Sequence, residues 1–97
     1  MNPVLIDAIR NRQVLALVYN GVSRLVYPCR YGLGKAGQEL LLAYQIKGVH
    51  NSYKHHDWIM LRVDQIQKLD VTDSTFPKTA EGYERGGGTM ATVYAEL

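Results

Sequence analysis

The pair Asn20-Gly21 sits between two runs of alternating, strand-favouring residues, VLALVY before it and SRLVYPCRY after it. Asn-Gly favours the left-handed backbone of a two-residue hairpin turn, so these runs are read as a strand over Val14–Tyr19 and a second over about Ser23–Tyr31. That hairpin commits the chain to an antiparallel β architecture. Pro28 lacks an N–H and therefore belongs at an edge or a bulge of the second strand. Further strands are read at Leu40–Tyr44, near Asp57–Leu61 and, after a turn at Val63–Gln67, at Lys68–Val71. Ahead of them, Asn2 as cap and Pro3 at the first helical position start a helix whose Leu5, Ala8 and Ile9 share one face.

Five short strands with one leading helix predict a mainly β fold, a small five-stranded β-barrel closed or partly closed on itself. Leu40–Tyr44 is apolar on both pleat faces and asks for cover on both: the barrel interior on one side, the helix or a second subunit on the other. Residues 1–76 form the domain. Residues 77–97 are an extension in which Gly86-Gly87-Gly88 separates TMATVYAEL, a segment with strand-like content, from the body.

With 97 residues, 46% hydrophobic and 21% charged, the chain is expected to hold one globular core. Cys29 is the single cysteine and no leader-like segment is seen, so a reducing cytoplasm is the expected location. No apolar run reaches membrane-spanning length, and no membrane partner is expected. Charge is uneven: residues 1–62 carry eight Lys/Arg against three Asp/Glu, and residues 63–97 carry three against six. Such a bias can mark an anionic partner, but its modest size favours a solvated surface.

Residues 32–37, GLGKAG, match G-x-G-x-x-G, but LLLAY follows where a dinucleotide turn needs a helix. The glycines Gly32, Gly34 and Gly37 are read instead as positive-φ positions of a hairpin loop. His50, His55 and His56 do not have the convergence that zinc requires, since neighbours on an extended segment point apart. No metal, cofactor or activated nucleophile is expected, and the chain is not read as an enzyme. Tyr19, Tyr27, Tyr31, Tyr44, Tyr53 and Trp58 are interleaved with Arg24, Arg30 and Arg62, a combination that binds single-stranded nucleic acid and also simply fills and solvates small barrels.

The helix LIDAIRNR leading to VLALVY, then RLVYPCRYGLG, ELLLAYQ and MLRVDQIQKLDVTDSTF, resemble in order and spacing the WYL domain, over residues 4–76. Tyr19, Arg24, Pro28, Leu41, Ala43, Arg62, Asp64, Ile66 and Phe76 match the family's pattern. Glu39 and Leu40 stand in place of its Trp and Tyr, Tyr27 in place of a Glu, and Ile59 and Gln65 in place of arginines. The resemblance implies an SH3-like or Sm-like barrel acting as a ligand-sensing regulatory domain of the kind attached to helix-turn-helix transcription factors; no helix-turn-helix is present in this sequence. The expected site is Tyr19 and Tyr44 for stacking with Arg24 and Arg62 for anion contact. The expected partner is a nucleotide or single-stranded nucleic acid, with a homodimer or a regulatory protein as further partner. A structural or oligomerisation module is the alternative, in which the C-terminal segment pairs with another subunit's sheet edge.

Overall fold

Asn20 and Gly21 both adopt positive φ, 54° and 71°, the pair of left-handed conformations that a two-residue hairpin turn with the twist of its strands demands. In this computed structural model, which describes residues 2–47, 57–76 and 90–97, the turn joins β1 (Gln13–Tyr19) to β2 (Val22–Leu33). Helix α1 (Pro3–Arg10) precedes them, and β3 (Glu39–Lys47), β4 (Asp57–Arg62), a 3₁₀ turn (Val63–Gln65), β5 (Ile66–Thr75) and β6 (Thr92–Glu96) follow. The fold is mainly β, and among the described residues there is one α-helix and every strand pair is antiparallel.

The helix begins as its sequence dictates: Asn2 accepts the Val4 N–H through Oδ1 at 2.9 Å, with Pro3 next to the cap. The Asn2 N–H in turn donates to the Tyr31 hydroxyl at 2.8 Å, tying the helix start to β2, and Tyr31 donates to Glu39. Leu5, Ala8 and Ile9 enter one cluster with Leu15, Leu17, Val26, Leu41, Ala43 and Leu61. Each fully buried aliphatic side chain of this size contributes roughly 1.5–3 kcal/mol from the area it removes from water.

The strands lie in the order β4-β3-β2-β1-β5, and β6 adds to β2. β2 is twelve residues long, and it pairs with β1 through Val22–Val26 and with β6 through Arg30–Leu33. A register shift between Pro28 and Arg30 places Pro28 at a bulge, where its missing N–H leaves the ladder intact. The C-terminal strand therefore pairs with β2 of its own chain. Its addition makes six strands where the sequence reading has five.

The expected closed barrel is not formed. Among the described residues β4 and β5 are the two ends of the hydrogen-bonded path and no pairing joins them. Only three residues separate them, so the sheet must curl until its ends meet at that corner, but β5 then runs along β1 and away from β4. Helix α1, packed on β1, β2 and β6, covers core that a closing sheet would otherwise enclose. On the outer side of β3 the Tyr44 ring packs against Tyr27 and Trp58 of the adjacent strands.

Of the three loop glycines, only Gly37 has the expected positive φ, 82°. Gly32 is a strand residue whose missing side chain lets β6 approach, and Gly34 lies under the side chain of Gln38. The loop itself closes through Gly34 N–H to Gln38 O (2.8 Å) and Gly37 N–H to Gly34 O (3.0 Å), and it delivers the chain into β3 rather than into a helix.

Candidate functional site

Leu17 and Arg24 are opposite each other across the β1–β2 hairpin, which aims Arg24 at the core-facing side of the sheet. There its Nη1 donates to Gln45 Oε1 at 2.7 Å, while Nε and Nη2 donate to the Tyr19 carbonyl at 3.4 and 3.3 Å. The guanidinium carbon lies 5.8 Å from the centre of the Tyr19 ring. Gln45 is only 1% exposed, and an amide that deep requires a partner, which Arg24 supplies. The Tyr19 hydroxyl accepts the Arg62 N–H at 3.1 Å, fastening the end of β4 to the end of β1. Tyr19, Arg24 and Arg62 thus meet, but through bonds that hold the sheet corner together. The Arg62 side chain is half exposed and faces Asp64 at 3.5 Å, an exposed pair that contributes little.

Tyr44 lies elsewhere. It adjoins Gln45 on β3, so the pleat turns it to the opposite face from Arg24. On that outer face it stacks at 6.1 Å on Tyr27, which stacks at 4.6 Å on Phe76, and it meets Trp58 edge-to-face at 5.0 Å. The four expected ligand residues therefore do not line one wall: three surround the Tyr19 corner and the fourth belongs to a ring row behind it.

The outer face also holds a groove of about 350 Å³, lined among others by Ala16, Leu25, Lys47, Lys68 and Asp70, and Arg24 of the expected ligand set is also in its lining. Register builds it. Lys47 is opposite Leu25, Leu25 opposite Ala16, and Ala16 opposite Asp70, while Val18 is opposite both Ser23 and Lys68. Ala16 and Ser23 are too small to fill the space between the flanking strands, and they leave the depression. Lys47, Lys68 and Asp70 are exposed, and none makes an ion pair with another described residue. Leu25 and Tyr27 are two residues apart on β2, so the Lys47 row lies about 6.8 Å from the ring row, and Lys68, in the Val18–Ser23 row, lies about twice as far along the strands.

Cys29 is fully buried, its Sγ donates to the Tyr27 carbonyl at 3.3 Å, and burial pushes the thiol up to about 12. A thiol in that state is a core group, since the thiolate is the nucleophile. Tyr31 is likewise pushed up to about 12, first by burial and then by its hydrogen bond to Glu39. The buried Arg30 guanidinium meets Glu96 at 3.2 Å, joining β6 to β2. His50, His55, His56, Tyr53 and the Gly86–Gly88 hinge lie outside the described residues. Among the described residues no group of three His, Cys, Asp or Glu could hold a metal ion, and no helix is long and apolar enough to cross a membrane. No family model, curated protein or solved structure matches the chain.

Lys47 and Lys68 are the residues that sequence reasoning missed. Each is an ordinary charged residue in or at the end of a strand, and only the four-strand register puts them on opposite sides of one groove. The local signal was a small residue in each strand of the hairpin, Ala16 and Ser23, on one pleat face.

Proposed function

We propose that this chain is a non-catalytic binding module that takes a nucleotide or single-stranded nucleic acid across the outer face of its sheet. The observation that carries the reading is a groove flanked by Lys47 and Lys68 on the face that bears the Tyr27–Tyr44–Trp58 row, with Lys47 one pleat repeat from the rings and Lys68 two. A separation of about 6.8 Å is on the scale of the distance from a base to its own phosphate, so the Lys47 ammonium group and the rings address the two ends of one nucleotide, and Lys68 meets a phosphate further along the strand. The groove volume falls at the small end of the range for ligand sites. In this reading Arg24 and Tyr19 support the fold, and Tyr44 is the member of the expected set that belongs to the ligand face.

The proposal includes the WYL resemblance: a stand-alone, WYL-like ligand-sensing regulatory module with an SH3-like or Sm-like strand arrangement. Fluorescence anisotropy with a labelled ten-nucleotide single strand tests it. Binding by the native protein that is weakened at least tenfold in Lys47→Gln/Lys68→Gln supports the reading; equal binding by the two proteins removes it.

A second reading, a structural or oligomerisation module, is favoured by β5, a ten-residue strand that pairs only with β1 among the described residues and so offers an open edge. Light scattering decides this one. A monomer at every concentration up to the millimolar range sinks it, and a dimer abolished by proline at Leu69 supports it.

A further inference from the structure

We infer that Asp70 makes the outer groove selective for ribose-containing ligands, so that RNA or a ribonucleotide is preferred over its deoxy counterpart. This rests on the proposed function and deepens it. Asp70 lines the groove, is exposed, and has no ion-pair partner among the described residues, although Lys68 lies two positions away on the same face of β5. A carboxylate there opposes phosphate entry at its own position. It accepts hydrogen bonds only, so the neutral group that it can receive is a donor.

Position then narrows which donor. Lys68 and Asp70 are separated by one pleat repeat, about 6.8 Å, along the strand. A phosphate held by Lys68 places the sugar of the same nucleotide beside Asp70, and the 2′-hydroxyl is the donor that distinguishes ribose from deoxyribose. Carboxylate recognition of ribose hydroxyls is established chemistry for such a group. Lys47, at the other end of the row Lys47–Leu25–Ala16–Asp70 and three strand spacings (about 14 Å) from Asp70, takes a phosphate further along the strand on the far side of the Ala16 depression. The groove therefore reads in order phosphate, sugar hydroxyl, phosphate.

The test compares labelled rU10 with dU10, which differ only in the 2′-hydroxyl, on the native protein and on Asp70→Ala. The native protein should bind rU10 about fivefold more tightly, the scale of one hydrogen bond to an exposed carboxylate. Asp70→Ala should tighten dU10, because a repelling charge is gone, and bring the two affinities to within a factor of two. Equal affinities for the native protein, or a ratio that survives Asp70→Ala, overturn the inference while leaving the groove in place. No binding of either oligomer overturns the inference and the proposed function together. Thermal unfolding of Asp70→Ala checks that the exposed substitution leaves the fold intact, and Asp70→Ser provides a second removal of the charge.

Discussion

Gly32→Ala gives the sharpest prediction about how the sheet is held together. A Cβ on Gly32 would overlap the Thr92 carbonyl oxygen and lie 2.9 Å from the Val93 Cα. Both are backbone atoms, so no side-chain rotation relieves the clash and β6 itself must withdraw. Withdrawal loosens the Arg30–Glu96 pair at 3.2 Å, the edge contact of Tyr31 with Tyr94 at 5.2 Å, and the bonds from Ala91 N–H to Leu33 O (2.8 Å) and Leu97 N–H to Cys29 O (3.0 Å). Overpacking costs typically 1–3 kcal/mol, and with rigid atoms on the far side the cost should reach the upper end, about 3 kcal/mol. For a domain of this size that is a fall in Tm of about 12–24 °C. Urea unfolding gives the stability, and amide exchange at Ala91 and Leu97 reports whether β6 has left β2. A loss below about 0.5 kcal/mol with both amides still protected would refute the reasoning. Gly37→Ala provides the contrast: nothing lies within 4 Å of its Cβ, and the φ of 82° alone should cost about 1–2 kcal/mol without releasing β6.

Arg24→Ala should lower stability by about 1.5–3 kcal/mol in urea, because it strips a buried Gln45 of its charged partner. Tyr19→Phe removes the acceptor of the Arg62 N–H and should cost about 1 kcal/mol, with faster amide exchange at Arg62 as the local readout. Stability should fall as pH rises above about 9: the unfolded chain ionises Cys29 from its ordinary 9.0 and Tyr31 from its ordinary 10.0, whereas the folded chain holds both protons to about 12. Below the unfolded values this contribution is fully present. Each group then removes about 1.4 kcal/mol per pH unit until its folded value is reached, and Cys29→Ala should flatten the part of the slope between about 9 and 10.

The local devices of this fold were legible in the sequence, because each is decided by a few neighbouring residues. The Asn2-Pro3 helix start, the Asn20-Gly21 turn and the bulge at Pro28 all stand where their chemistry requires. What depends on distant pairing was not legible. Openness of the sheet is decided by β5 following β1 rather than β4, and Gly32 is explained only by a strand sixty residues further on. The same limit governs the site. Alternation shows that Tyr44 and Gln45 face opposite ways, but only the cross-strand register shows that Arg24 is on the Gln45 side. Lys47, Leu25, Ala16 and Asp70 come from four strands, and no local pattern aligns them.

The salt dependence of oligonucleotide binding tests the central claim most directly. If Lys47 and Lys68 each neutralise one phosphate of a single strand, the logarithm of affinity should fall with the logarithm of salt concentration at a slope of about −1.4, and Lys47→Gln/Lys68→Gln should bring the slope close to zero. A slope that is unchanged in that double variant, or that disappears instead in Arg62→Ala, contradicts the placement of the ligand on the outer face.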